Sequence, residues 1–188
     1  KQLRSMKLGK ESVFIDGGAH KGEELKYLSK IGCEVHSFEV NPVHCRNLKE
    51  EYSKYKNIII NHAALWIEDD YIDVYHKKTN ELASMSTETC KVDIDKEKSI
   101  RVKAIDIATY ILSLDKKIDV MKLDIEGGEY KVINHLIETE VIDKIEKIYF
   151  EDHNRRMRRN KDGEEWRRER KQVKKLMKAY KNKFESWW

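Results

Sequence analysis

The stretch SVFIDGGAHKG, residues 12–22, joins a short β-rich run to a glycine bend and then to helical sequence. Working outward, the same order recurs. A helix is predicted over 23–30 and a strand over 34–40 (EVHSFEV). Asn41-Pro42 then opens a helix to 55, with Pro42 in the first turn, where a missing N–H costs nothing. NIIINHA (57–63) reads as a third strand, and YIDVYH and IRVKAI as two further β pieces around a polar loop. IDIATYILSL (105–114) reads as a helix and IDVMKLDI (118–125) as the most apolar strand. GEYKVINHLIE (128–138) has apolar residues at helical spacing (Tyr130, Val132, Ile133, Leu136, Ile137), and KIEKIYFE (144–151) is the last clear strand. Strands separated by helical crossovers of about 10–15 residues mark an α/β fold, a mostly parallel central sheet with helices on both faces.

At 188 residues the chain suits one domain with one sizeable core. A charged fraction of 38% and a mean hydropathy of −0.79 would suit disorder, but the apolar residues arrive in clusters that build a core. No apolar run approaches the roughly 20 residues of a membrane span, and no apolar N-terminal stretch reads as a signal peptide. Cys33, Cys45 and Cys90 are odd in number and widely spaced, which excludes a disulfide framework and favours a reducing, cytoplasmic setting. The start at Lys1 reads as a segment of a longer or processed product.

The net charge of +4 is uneven: residues 155–183 carry +10, leaving −6 for the rest. One domain over 1–188 is therefore expected, with a core over 1–153 and a basic helical segment over 154–188. Beyond Asp162 that segment has an apolar stripe of Trp166, Val173, Leu176, Met177 and Tyr180. It reads as a surface helix docked on the sheet, or as a contact for nucleic acid, an anionic membrane surface or an acidic partner. The RRMRR run directly after His153 is placed to meet a phosphate on an acceptor.

In open α/β sheets, ligands bind at the carboxyl ends of the strands, where the strand order reverses. The first strand ends in Asp16-Gly17-Gly18-Ala19-His20-Lys21-Gly22, small residues that let backbone approach a ligand ahead of a helix N-terminus. The bend reads D-x-G-x-x-x-G rather than the dinucleotide pattern G-x-G-x-x-G. Glu39 ends the second strand, 23 residues after Asp16, where a carboxylate accepts both hydroxyls of a ribose or stands as a solvated charge. Asp124 and Glu126 follow one strand, and Glu151, Asp152 and His153 follow another; neighbouring parallel strands set such ends about 5 Å apart.

His153 reads as a general base or as a residue ordering its loop, and Asp124 as a base, a metal ligand or a helix cap. Glu151 and Asp152 join Asp124 as an oxygen set for a divalent cation, Mg²⁺ or Mn²⁺. Glu129 reads as a dipole-complementing residue at a helix start. His36, His44 and His135 read as structural or exposed, and Ser84, Met85 and Ser86 as surface loop or a roof over the site. There is no G-x-S-x-G elbow, H-E-x-x-H pair or Walker loop, so hydrolase and nucleotide-phosphatase readings have no support.

The D-x-G-x-x-x-G bend resembles the first motif of S-adenosylmethionine-dependent methyltransferases. Taken in order, VFIDGGAHKG, VHSFEVNPVHCRNL, NHAALW, the IDIATYI region, VMKLDIEGGEYKVI and IYFEDH resemble the FkbM-like methyltransferase family over roughly 12–153. That resemblance implies a Rossmann-like class I methyltransferase fold and S-adenosylmethionine as cofactor. It places Asp16, Gly17, Gly18, Ala19, His20 and Gly22 at the methionine end, Glu39 on the ribose with Val40 beside it, and Asn61, His62 and Ala63 near the adenine. It implies O-methylation of a hydroxyl on a small-molecule or glycan acceptor; the catalytic candidates Asp124, Glu151 and His153 come from their place at the strand ends. Fusion to other glycan-processing domains fits the same picture.

An RNA methyltransferase using the basic segment, or a non-catalytic cofactor-binding module, are the alternatives. Against RNA, no N-P-P-Y-like tetrapeptide follows the 118–125 strand. Two departures from the family stand out. His20 occupies a position where many members have Asn. After the basic helix, KFESWW leaves room for one strand rather than the usual final hairpin, so a shortened C-terminal edge is expected.

Overall fold

The computed structural model describes residues 6–77, 94–153 and 163–186. Ser84, Met85, Ser86, Cys90, the basic run 155–159 and the side chain of Trp166 lie outside the described residues. The elements are β1 (Val13–Gly17), α1 (Leu25–Ile31), β2 (Glu34–Phe38), α2 (Pro42–Glu51), β3 (Ile58–Asn61), β4 (Ala64–Trp66), β5 (Asp70–Lys77), β6 (Ile94–Asp106), α3 (Ile107–Leu114), β7 (Ile118–Leu123), α4 (Glu129–Glu138), β8 (Ile145–Phe150), α5 (Gly163–Met177) and β9 (Phe184–Ser186).

Six strands form one sheet in the order β3-β2-β1-β7-β8-β9, and every neighbouring pair is parallel. The order runs one way from β1 through β2 to β3 and the other way from β7 onward, so the switch lies between β1 and β7. Alternation along the strands feeds two cores. Val13, Ile15, Met121, Leu123 and Ile148 pack on one face with α3, α4 and Val173 of α5. Phe14, Val35, Val120 and Tyr149 pack on the other face with Leu25 and Leu28 of α1 and Leu48 of α2. Burial on both faces is why the strands read as continuous apolar runs, each fully buried aliphatic side chain contributing roughly 1.5–3 kcal/mol.

The expected α/β fold with a mostly parallel sheet is what the chain forms, and among the described residues β9 lies parallel to β8 at one edge. Several element ends fall short of expectation, among them the helix expected to reach 55, which ends at Glu51, and two of the differences shape the packing. The 57–63 strand stops at Asn61, and Ala64–Trp66 leaves to pair with β6 in a second, three-stranded sheet, β4-β6-β5, that covers the first core. The helix predicted from 105 starts at Ile107, because Asp106 is its N-cap: its side chain accepts from the N–H groups of Ala108 and Thr109. Asn41 caps α2 in the same way, with Pro42 in the first turn as predicted. Among the described residues, no helix is long and apolar enough to cross a membrane.

Candidate active site

The glycine bend is shaped first by protein neighbours. Gly18 has φ +86°, and a Cβ there would lie 1.9 Å from the carbonyl oxygen of Asp124, so the chain leaving β7 can cross the bend only over a glycine. At Gly22, φ +72°, a Cβ would lie 2.5 Å from the Leu48 side chain of α2. The N–H groups of Gly18 and Ala19 both donate to the carbonyl of Phe38, at 3.1 and 3.0 Å, which ties the bend to the end of β2.

Glu39 follows β2 and is buried beside the bend. It accepts from the backbone N–H of His20 at 2.6 Å on one oxygen and from that of Asn41 at 2.7 Å on the other. Burial pushes its carboxyl up to about 7, with those two N–H donors pulling the other way. Next to it, the Asn61 amide donates to the Ser37 carbonyl, His62 Nε2 stands 3.2 Å from the carbonyl of the half-buried Val40, and Ala63 is buried. The residues expected to meet a nucleoside thus lie together at the ends of β1, β2 and β3.

Lys122 was not singled out from the sequence. It lies inside β7, 2% exposed, and its ammonium donates to the Gly18 carbonyl at 2.8 Å and to Asp16 at 3.2 Å. Glu24 and Asp124 stand 3.7 and 3.8 Å from it. Asp16 is fully buried and also accepts from the Ser37 hydroxyl. Burial alone would lower the lysine's pKa; Asp16, Glu24 and Asp124 outweigh it and hold the ammonium above the ordinary lysine value. A lysine in the middle of the most apolar strand was the available signal.

Across the switch, the turn after β7 and the end of β8 bring Asp124, Glu126, Glu129, Glu151 and His153 together. His153 Nδ1 is 2.8 Å from Glu129 Oε1, and its Nε2 stands 3.4 Å from Glu151, 3.6 Å from Glu126 and 3.7 Å from Asp124. Burial would lower the histidine's pKa, but the Glu129 bond and the charges of Glu126 and Glu151 push it up to about 9. The expectation of a base rests on the ordinary value near neutrality; the surrounding carboxylates hold the ring above that value and favour its protonated form. Asp124 is pushed up to about 6, chiefly by burial, with Lys122 opposing and Glu151 adding.

Glu129 stands in the first turn of α4 as expected, and it is also fully buried, accepting from the N–H groups of Ile125 and Gly127 and holding His153. Asp152 leaves the cluster: Arg170 and Lys174 of α5 donate to it at 2.5 and 3.2 Å. His36 sits between Glu34 and Tyr110, and His135 against Asp106, in structural roles.

Glu24 and Glu39 give stability a pH dependence of definite sign. Burial, with the Asp16 charge adding and Lys122 opposing, lifts both from 4.5 to about 7. Between those values the folded chain binds more protons than the unfolded one, so stability falls as pH rises. Glu34, Asp106 and Asp152, held below their ordinary values, already contribute in full above that lower bound. Thermal melts should show a Tm drop of about 4 °C or more from pH 4.5 to 7. The Glu24→Gln/Glu39→Gln double variant should show a flatter profile, and a wild-type Tm that climbs over this range would contradict the burial assigned to these carboxyls.

A parallel sheet with its strand order reversing beside β1, and carboxylates gathered at that reversal, defines a Rossmann-like α/β class with a ligand crevice at the switch. The family model for the Methyltransferase FkbM domain matches residues 16–176, and the chain belongs to that family. No curated protein and no solved structure matches it. Family membership makes methyl transfer its chemistry, with S-adenosylmethionine implied as donor.

Proposed function

We propose that the chain is an S-adenosylmethionine-dependent O-methyltransferase whose acceptor is a sugar hydroxyl on a glycan or glycoside. The observation that carries this is two acidic groupings set on either side of the strand reversal: Glu39 beside the glycine bend, and Asp124 with Glu151 and His153 at the ends of β7 and β8. When bound, the cofactor supplies an electrophilic methyl on a sulfonium. The residues fit such a group by charge: Asp16, Glu24, Asp124, Glu126, Glu129 and Glu151 gather at the strand ends around Lys122 and His153.

Glu39 would bind the ribose. Its carboxylate plane is fixed by two backbone donors, and each oxygen keeps a lone pair for a hydroxyl. Asn61, His62 and Ala63 would flank the base at the end of β3. On the other side, Asp124 or Glu151 would take the acceptor's proton. With a pKa near 6, Asp124 is ionised at neutral pH yet more basic than an ordinary aspartate. Carboxylates at this density also suit an acceptor bearing adjacent hydroxyls.

Incubation with S-adenosylmethionine and a panel of glycosides, followed by mass spectrometry, should show the mass gain of one methylene per methyl added. No gain on any glycoside rejects the sugar acceptor. In calorimetry, Glu39→Ala should weaken cofactor binding by about 1–3 kcal/mol, the scale of a lost hydrogen bond to a charged group; unchanged affinity removes the ribose assignment. An RNA acceptor is favoured by one observation, the exposed Arg167, Arg168, Lys171, Lys175 and Lys178 on α5 and the turn after it. It would show as methylation of RNA that collapses as salt rises.

A further inference from the structure

From Arg167 onward, α5 and the short turn after it keep apolar and cationic residues on opposite sides. Val173 is buried in the core on one face of the main sheet, and Met177 and Tyr180 pack against the same core. A helix turns about 100° per residue, so Arg167, Arg168, Lys171, Lys175 and Lys178 fall in one arc of about 100°, centred opposite Val173. All five are exposed, and no side chain among them forms an ion pair or hydrogen bond with a described residue. Arg170 and Lys174, at the border of the arc, are held by Asp152 instead. Because α5 joins two parallel strands, β8 and β9, it runs back from their carboxyl ends, with Arg170 fixing its start beside the end of β8. The cationic arc therefore runs down the flank of the sheet for about 17 Å, at about 1.5 Å per residue.

We propose that this face of α5 docks the protein on an anionic membrane surface. A convex helix face pointing straight away from the core has no hollow for a small ligand, but its cations meet a flat layer of anionic headgroups together. Each Lys or Arg near such a surface contributes about 1 kcal/mol. RNA fits the geometry less well. Among the described residues of the arc there is no aromatic ring on which a base stacks. A strand held along the arc also passes down the flank of the sheet instead of entering the crevice at the strand ends. The large apolar side chains exposed among the described residues, Val43, Tyr71 and Leu112, lie on other elements, so there the attraction is one of charge and salt screens it. The contact does not depend on the methyl-transfer reading.

The test is co-sedimentation of the whole chain with vesicles of phosphatidylcholine alone, or of equal parts phosphatidylcholine and phosphatidylserine. The mixed vesicles should bind at least about tenfold more tightly than the plain ones, and lose at least about tenfold between about 0.1 M and 1 M salt. Lys171→Glu/Lys175→Glu should weaken binding at least about tenfold with unchanged circular dichroism, and Lys171→Arg/Lys175→Arg should bind as the wild type does. Lys26→Glu/Lys49→Glu makes the same change of net charge on α1 and α2, which cover the other face of the sheet, and should also bind as the wild type does. Equal binding to both kinds of vesicle, wild-type binding by Lys171→Glu/Lys175→Glu, or an equal loss in Lys26→Glu/Lys49→Glu overturns the proposal. An RNA oligonucleotide that displaces the chain from mixed vesicles at equal phosphate concentration assigns the face to nucleic acid and overturns it too. The lipid and salt comparisons use the wild type alone, so they decide the matter even where a double variant fails to fold.

Discussion

Lys122→Met should destabilise the fold by about 3–5 kcal/mol, the cost of stripping one partner from a buried charge pair. The reason is local and countable. Asp16 is fully buried and bonds only the Lys122 ammonium and the Ser37 hydroxyl through its side chain among the described residues. Glu24 and Asp124 lean on the same ammonium from α1's start and β7's end. Without it, the fully buried Asp16 faces the partly exposed Glu24 and Asp124 with no ammonium between them, and the Gly18 carbonyl that fixes the bend loses its donor. Urea denaturation should show the loss as a lower midpoint at unchanged slope. Adding Asp16→Asn to Lys122→Met should recover part of it, since the buried anion is then gone. A cost below about 1 kcal/mol for the single variant would mean that the ammonium is not what holds the strand ends together.

That ammonium also marks where sequence reasoning ends. The sheet was legible because its strands are buried on both faces, so SVFID, NIIIN and IDVMKLDI stand out as apolar runs against charged surroundings. Caps such as Asn41-Pro42 were legible because they act within four residues of themselves. Of the site, the strand-end carboxylates Asp16, Glu39, Asp124 and Glu151 could be named, since the end of a parallel strand is a position that sequence order predicts. Which of them face one another could not. Asp152 and Glu151 are adjacent in sequence, yet one goes to Arg170 on α5 and the other to His153. Glu129 looks like any acidic residue opening a helix until the Glu126-Gly127 turn, with φ of +56° and +114°, folds it under His153. The second sheet was missed for the same reason: β4 pairs with β6 some forty positions away, a choice that local pattern does not encode.

His153→Gln should lower the rate of methyl transfer by about 10²–10⁴-fold, the range that a positioned group at the reacting centre supplies. The histidine is the hub of the cluster: its two nitrogens face Glu129 on one side and Glu151, Glu126 and Asp124 on the other. Glutamine keeps a donor for Glu129 but removes the positive charge, so the three outer carboxylates repel and spread. The acceptor then meets a site of altered geometry, and kcat should fall far more than the acceptor's KM rises. Cofactor affinity is the control. Glu39 and its donors His20 and Asn41 lie on the β2 side of the strand reversal and make no contact with His153, so calorimetry should find S-adenosylmethionine bound as tightly as by the wild type. Equal loss of cofactor binding and turnover would mean that His153 supports the whole crevice rather than the reacting end. Wild-type turnover would move the chemistry away from β7 and β8 altogether, leaving Glu129 and its histidine as a buried strut.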